Sequence, residues 1–197
     1  MLEMDMGQQG TLFYVMGASG SGKDSLMRYA RTRLAGHAGV MFAHRYITRP
    51  VELQGENHVA LSAEEFDARL SQGLFALHWD SHGLRYGIGR EIDLWLARGC
   101  NVVMNGSREY LPQARRIYPE LSAVLITVSP ETLAKRLRAR ARESEAQIAQ
   151  RIARATKFVR PDGQLETIAN DDAIEVAGER FVALLSMNMA TITTTAA

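Results

Sequence analysis

The chain has 197 residues, of which 46% are hydrophobic, and this is enough apolar material for one sizeable core in a single domain. Its 23 basic and 22 acidic residues leave a formal net charge of +1, so we expect no nucleic-acid or membrane partner, and any anion site must be local. A single cysteine, Cys100, excludes an internal disulfide, and the sequence carries no signal-like or membrane-spanning apolar run, so a cytoplasmic protein is expected.

The first predicted elements are a strand, a glycine-rich loop and a helix. Thr11–Met16 is short, apolar and followed by glycine, which is typical of a buried parallel strand. Gly17–Lys23 then has the spacing G-x-x-x-x-G-K, in which glycines permit tight turns and successive N–H groups face phosphate oxygens. We therefore predict an ATP site at the start of the helix, with Lys23 as a catalytic residue that reaches the β- and γ-phosphates. The residues predicted to bind the nucleotide here are Gly17, Ala18, Ser19, Gly20, Ser21, Gly22, Lys23, Asp24 and Ser25.

The residue after Lys23 departs from this motif. It is an aspartate, Asp24, at the position where a serine or threonine hydroxyl normally contacts magnesium. Because a carboxylate is a hard oxygen ligand, we predict that Asp24 binds Mg²⁺ directly or through water. The alternative is that Asp24 is an acidic first-turn residue that stabilises the helix.

Residues 45–88 are predicted to form an inserted acceptor-binding subdomain. The interval is rich in glycine and histidine, and its pattern lacks long apolar strands. Ser62 and Glu65 form a possible capping box for a short helix that runs through Leu70.

The rest of the chain alternates between short apolar runs and helical patterns. The alternation predicts an α/β fold, a P-loop NTPase three-layer sandwich with a mostly parallel sheet, whose core comprises residues 10–44 and 89–190. Lys135–Arg154 has helical periodicity but little apolar face in its middle, so residues from about 138 to 148 are expected to form a movable lid. The other predicted strands are Gly39–Ala43, Asn101–Asn105 and Ser122–Val128, and the other predicted helices are Ile92–Ala97, Tyr110–Ile117 and Pro130–Ala141.

Beyond the phosphate loop, a series of short charged and aromatic motifs runs through the chain. They are Ile47-Thr48-Arg49, Gly55-Glu56-Asn57-His58, Tyr86-Gly87, Arg136-Leu137-Arg138-Ala139-Arg140 with Ser144-Glu145, Arg151, and Asn170-Asp171. In this order and at these spacings, the sequence resembles the guanylate kinase family over nearly its whole length. The resemblance implies that the chain transfers a phosphoryl group from ATP to a small phosphorylated acceptor.

The same resemblance implies roles for particular side chains. Arg49 would hold the acceptor phosphate and Tyr86 would hydrogen-bond to it. Arg140 and Arg151 would close over the transferring group as catalytic residues, which suits a reaction catalysed mainly by positioning and charge neutralisation. Asn170 would lie near the adenine, although an Asn-Asp pair also makes an ordinary turn.

The groups with which guanylate kinases read guanine are missing. Their serine aligns with Arg45 and their glutamate with His78, and Asn57-His58 stands in place of an Asp-Tyr pair. Guanine N–H donors would be left unpaired at a cost on the order of several kcal/mol, so we expect poor phosphorylation of GMP. Arg45, His58 and His78 instead add donors that suit a bisphosphorylated sugar. Asn105, at the end of a strand where the family carries aspartate, is also predicted to contact this acceptor.

Two alternatives stay open. One is a guanylate kinase or another kinase with a small phosphorylated acceptor. The other is a non-catalytic, guanylate-kinase-like module that binds proteins, although the intact Gly17–Lys23 loop, with Arg140 and Arg151 retained, is hard to explain without ATP.

Overall fold

A computed structural model of the chain describes residues 9–50, 58–139, 144–156 and 164–187. Strands and helices alternate along these ranges. The strands are β1 (Leu12–Gly17), β2 (Val40–Phe42), β3 (Arg45–Ile47), β4 (His58–Ala60), β5 (Phe75–Ser81), β6 (Leu84–Gly89), β7 (Asn101–Asn105), β8 (Ser122–Thr127) and β9 (Leu165–Ala169). The helices are α1 (Lys23–Arg33), α2 (Ala63–Ser71), α3 (Glu91–Ala97), α4 (Leu111–Ile117), α5 (Pro130–Ala139), α6 (Glu145–Thr156) and α7 (Ile174–Leu185).

The central sheet has five strands in the order β2-β7-β1-β8-β9, and every neighbouring pair in it is parallel. The middle strand β1 pairs on both edges, which explains why its sequence is a continuous apolar run. Because parallel strands end at the same edge of a sheet, the loops that follow β1 and β7 lie side by side.

Helices cover both faces of this sheet. Leu12, Tyr14 and Met16 of β1 point into a core shared with α3 and α4. The alternate residues Phe13 and Val15 point into a second core shared with α1 and α7. The resulting layers of helix, sheet and helix confirm the predicted α/β sandwich.

A second sheet contains four strands in the order β4-β3-β6-β5, all within residues 45–89. The sequence analysis named no strand in this interval, but the structure has two that mix apolar and polar residues: β5 has seven residues and β6 has six. Polar residues in β5 and glycines in β6 interrupt the apolar run by which a buried strand is recognised in the sequence. The predicted short helix is confirmed as α2, where Ser62 Oγ accepts a hydrogen bond of 3.1 Å from the Glu65 N–H.

Helices α5 and α6 pack on each other through a small apolar cluster of Leu133, Leu137 and Ile148. Residues 140–143, which include Arg140 and part of the predicted lid, lie outside the described residues. The division into core, acceptor subdomain and lid therefore stays a prediction. Within the described ranges, no helix combines the length and the apolar character that crossing a membrane requires.

Candidate active site

The loop between β1 and α1 has the backbone conformation of a tight glycine turn. Gly20 has φ 96° and Gly22 has φ 83°, both in the left-handed region that favours glycine. Space is also restricted at Gly22, because a Cβ there would lie 2.4 Å from Nδ2 of Asn170. Helix α1 begins at the next residue, Lys23. The loop therefore leads directly into a helix N-terminus, whose unpaired N–H groups and dipole favour a bound phosphate.

Two side chains hold this loop from beneath. Asn170, which is 3% exposed, donates from Nδ2 to the carbonyl oxygen of Ser21 at 2.8 Å. Arg136 of α5 donates to the same carbonyl at 3.3 Å. Ser21 itself is buried and does not line the cleft, and its Oγ has no hydrogen-bond partner among the described residues. The structure places Asn170 against the loop backbone, not among the cleft-lining residues where an adenine contact would be expected.

Lys23, Asp24 and Asn105 form a polar group at the start of α1. Lys23 Nζ lies 2.7 Å from Oδ1 of Asp24, and Asn105 Nδ2 donates to the same oxygen at 3.1 Å. The Lys23 side chain is 13% exposed and that of Asp24 is 60% exposed. The lysine is therefore held beside the loop, and the carboxylate faces the solvent-filled cleft.

The oxygen atoms in this group suit a hard cation. The Asp24 carboxylate lines the cleft together with Ser25, Asn105 and Ser107. Among the described residues, no group of three or more His, Cys, Asp or Glu side chains could hold a metal by itself. A magnesium ion at Asp24 would thus take its remaining ligands from phosphate oxygens and water, as Mg²⁺ commonly does.

The loop after β7 is anchored to the central strand. The hydroxyl of Tyr14 donates to the Ser107 carbonyl at 2.7 Å and accepts from the Ser107 N–H at 2.9 Å. Burial raises the pKa of Tyr14 well above its usual range, so the phenol keeps the proton that it donates. Gly106 packs against the Tyr14 ring, since a Cβ there would lie 2.2 Å from it. These contacts fix the backbone from which Arg108 enters the cleft.

Helix α6 turns one polar face toward the cleft. Gln147, Gln150, Arg151 and Arg154 all line it, at the i, i+3, i+4, i+7 spacing of a single helix face. Arg151 donates to Ser19 Oγ of the phosphate loop at 2.7 Å. A neighbouring face of α6, with Ile148, Ile152 and Ala155, packs on α5, which sets the direction of these side chains.

The second sheet supplies the facing wall. The Arg45 guanidinium lies 5.1 Å from the ring centre of Tyr86, in a cation–π contact. Trp79 stacks on the other side of this cluster, with ring centres 5.4 Å from Tyr86 and 5.3 Å from Tyr110. His82, at the β5–β6 turn, also lines the cleft and has φ 51°. This wall combines flat aromatic surface with a cation.

Together these parts enclose a cleft of about 630 Å³. It extends from the phosphate loop to the second sheet, with α6 along one side. The sequence-predicted residues that line it are Gly17, Ala18, Ser19, Gly20, Gly22, Lys23, Asp24, Ser25, Arg45, Tyr86, Asn105 and Arg151.

Other predicted acceptor residues lie outside this lining. His78 is exposed on the face of β5 opposite Trp79, so its side chain is directed away from the cleft. His58 is 7% exposed, and its Nε2 lies 3.4 Å from the Arg49 carbonyl. Arg49 is half-buried, and its Nε has no hydrogen-bond partner among the described residues. The structure does not bring these three side chains into the cleft, and Arg140 is outside the described residues.

Several cleft residues were missed by the sequence reasoning. The helical spacing of the α6 residues could have identified their common face, had the direction of the helix been known. Nothing in the local sequence around the β7 loop indicates that its side chains meet α6. The missed residues are Trp79, Ser81, His82, Gly106, Ser107, Arg108, Glu109, Gln147, Gln150 and Arg154.

Comparison with characterised sequences decides the family. A ribose 1,5-bisphosphate phosphokinase PhnN from Thiobacillus denitrificans is 74% identical over 178 residues, which are 90% of this chain and 94% of the relative. The chain belongs to the ribose 1,5-bisphosphate phosphokinase family. A second phosphokinase of this name, from Chromobacterium violaceum, is 58% identical over 88% of the chain and 92% of its own length. Membership of this family confirms the prediction of a phosphotransferase. No protein-family model matches the chain.

Solved structures agree with the phosphokinase family on the fold. Guanylate kinase from Anaplasma phagocytophilum superposes with a TM-score of 0.65 at 18% identity, over 93% of this chain and 89% of that one. A sugar kinase from Janibacter sp. superposes with a TM-score of 0.51 at 20% identity, over 91% of this chain and 96% of that one. The predicted guanylate-kinase-like fold is confirmed, and at these identities the likeness concerns the fold alone.

Proposed function

We propose that the chain transfers the γ-phosphoryl group of ATP to the 1-phosphate of ribose 1,5-bisphosphate, giving 5-phosphoribosyl 1-diphosphate and ADP. The observation that carries the choice of acceptor is the 74% identity to a phosphokinase of that name along almost the whole chain. The reaction belongs in the cytoplasm and, by resemblance, in bacterial phosphonate degradation.

The nucleotide side of the reaction rests on the phosphate loop. Backbone N–H groups of Gly17–Lys23 would hold the β- and γ-phosphates, and Lys23 would leave Asp24 to neutralise the charge on the transferring group. Arg151, which now contacts Ser19, lies where its fork can add donors to the same oxygens. Arg140 is proposed to donate to these phosphate oxygens together with Arg151.

Asp24 is the residue we assign to magnesium. Its carboxylate is largely exposed, and Asn105 orients one of its oxygens. When bound, the ion would neutralise phosphate charge and help to orient the γ-phosphoryl group. Lys23 and Arg151 supply positive charge at the same phosphates from the protein side.

The acceptor side needs position more than it needs a base. A phosphate monoester is already ionised near neutral pH, so its oxygen can attack phosphorus in line without a general base. Tyr86 is proposed to hold this reacting phosphate, with Arg45 beside its ring. Arg49, which the family resemblance also assigns to this phosphate, lies outside the cleft lining and would have to turn toward it. Arg45 stands where guanylate kinases carry a serine for the base, and its cation favours a phosphorylated sugar over guanine.

The test compares ADP release with ribose 1,5-bisphosphate, ribose 1-phosphate, GMP and AMP as acceptors. We expect the bisphosphate to give the highest kcat/KM. Lys23→Ala should lower turnover with this acceptor by orders of magnitude, because it removes a charge that acts on the transition state. Lys135→Ala changes an exposed lysine of α5 and is the matched control.

Equal rates with GMP and ribose 1,5-bisphosphate would refute the acceptor assignment. If no acceptor releases ADP, titration with Mg-ATP decides between an idle kinase and a binding module. A ligand that binds the folded protein must raise its melting temperature by mass action. An unchanged Tm would therefore also contradict the proposed ATP site.

A further inference from the structure

Two arginines that have no role in the proposed reaction both line the same cleft. Arg108 enters from the loop after β7 and Arg154 from α6. Arg108 is half-buried, and burial lowers its pKa; the charge of Arg154 lowers it further, while that of Glu109 raises it. The Arg108 guanidinium stays ionised, because arginine keeps its proton even in perturbed surroundings. Arg108 and Arg154 therefore bring two positive charges to this corner of the cleft, where Glu109 is the neighbouring carboxylate among the described lining residues, and the net positive charge favours an anion.

The position of this corner follows from the geometry of α6. Arg151 and Arg154 lie on the same face of the helix, and three residues advance an α-helix by about 4.5 Å. Arg151 contacts Ser19 of the phosphate loop, whereas Arg154 interacts with the charge of Arg108. One helix face thus presents one guanidinium to the nucleotide end of the cleft and another to the β7 loop.

Arg108 is supported by a rigid backbone. Both backbone polar groups of the preceding residue, Ser107, hydrogen-bond to the Tyr14 hydroxyl, and Tyr14 itself is fully buried in the central strand. The backbone from which this guanidinium extends is therefore already ordered before a ligand binds. Preorganisation of this kind is what a specific phosphate site requires.

A sugar bisphosphate presents two phosphates, and the reaction uses one of them. The reacting phosphate must lie in line with the γ-phosphoryl group, near Lys23 and Arg151. The other phosphate is a dianion that needs its own donors, and planar guanidinium forks suit it better than any other side chain.

We propose that Arg108 and Arg154 bind the phosphate of the acceptor that does not react, and so select a sugar bisphosphate over a sugar monophosphate. This assignment rests on the proposed function. It makes the two arginines specificity-determining residues for the acceptor and leaves ATP binding to the phosphate loop.

The test is a cycle of enzyme variants and acceptors. Three proteins are compared: the wild type, Arg108→Gln and Arg154→Gln. Ribose 1,5-bisphosphate and ribose 1-phosphate are titrated calorimetrically into each protein in the presence of a non-hydrolysable ATP analogue. The kcat and the KM for each acceptor are then measured with ATP. Loss of a charge-assisted contact is expected to weaken ribose 1,5-bisphosphate binding roughly 10- to 100-fold in each variant. Binding of ribose 1-phosphate and of the nucleotide should change less than about twofold, and Arg108→Lys should restore part of the loss.

Arg33→Gln is the control, since Arg33 is 57% exposed on α1 and pairs only with Glu179 at 2.9 Å among the ion pairs of the described residues. Two results would place Arg108 at the reacting phosphate and overturn the assignment. One is an equal loss of affinity for both acceptors in Arg108→Gln, and the other is a fall in its kcat with an unchanged KM for the acceptor. The assignment would also be overturned if both glutamine variants kept the wild-type preference for ribose 1,5-bisphosphate over ribose 1-phosphate, although the proposed function would then stand. If the wild-type protein neither binds nor converts ribose 1,5-bisphosphate, the proposed function itself fails.

Discussion

Gly22 and Gly36 form a natural pair for measuring how much the phosphate loop depends on its geometry. Their φ angles are 83° and 82°, so an alanine at either position meets the same backbone strain, about 1–2 kcal/mol. Around Gly36 a Cβ would find nothing within 4 Å. At Gly22 the same Cβ would lie 2.4 Å from Asn170 Nδ2 and 3.4 Å from Arg136 Nη1. The difference between the two variants therefore isolates the contact beneath the loop.

The magnitude follows from the hydrogen bond that would break. To make room, the amide of Asn170 must leave the Ser21 carbonyl, to which it now donates at 2.8 Å. Arg136 still reaches that carbonyl at 3.3 Å, so the extra loss is about 1–2 kcal/mol, below the cost of a fully orphaned buried group. Gly22→Ala should thus unfold at a Tm roughly 2–8 °C below that of Gly36→Ala.

ATP binding gives the second readout. If the loop of Gly22→Ala relieves about 2 kcal/mol of strain by leaving the binding conformation, affinity falls by roughly 30-fold. Gly36 follows α1 at its far end, about 16 Å from the loop for a helix of 11 residues, so Gly36→Ala should bind ATP like the wild type. Calorimetric titration and thermal unfolding of both variants provide the measurements. Equal Tm values together with equal ATP affinities would refute the account of this loop.

Three further predictions concern single side chains. Asp24→Ser should shift the magnesium concentration for half-maximal rate upward, and an unchanged titration curve would show that the carboxylate is not a ligand. Asn170→Ala should weaken ATP and inosine triphosphate alike, by roughly 5- to 30-fold, because the amide supports the loop; a loss confined to ATP would instead indicate an adenine contact. His78→Ala should leave the KM for ribose 1,5-bisphosphate within about twofold, since the side chain lies outside the cleft, whereas His82→Ala, inside the cleft, should raise it. The reverse order in steady-state kinetics would restore the sequence-based assignment of His78.

The phosphate-loop side of the cleft was predictable because its residues are contiguous. Gly17–Lys23 carries its structural requirements in one short segment, and an apolar strand before it and a helix after it identify the context. The strands β1, β2, β7 and β8 were likewise recognisable from local apolar runs. For these parts, the local conformation is set largely by near neighbours in the chain.

The side of the cleft formed by the second sheet was less predictable, because the strand register decides which of its side chains face the cleft. The β5–β6 pairing shifts between Phe75 and Leu77, and a shift of one residue exchanges the two faces of a strand. His78 therefore points away and Trp79 points into the site, a choice that alignment alone could not make. The approach of Arg108 to Arg154 has a similar cause, since it requires both the position of β7 in the sheet and the packing of α6 on α5.

Phosphorus NMR of a reaction containing the protein, Mg-ATP and ribose 1,5-bisphosphate tests the central claim most directly. The account predicts that ADP and a diphosphate ester at carbon 1 of the sugar appear in equal amounts, while the 5-phosphate resonance remains that of a monoester. Formation of ADP with inorganic phosphate and an unchanged sugar, or a diphosphate at carbon 5, would contradict it.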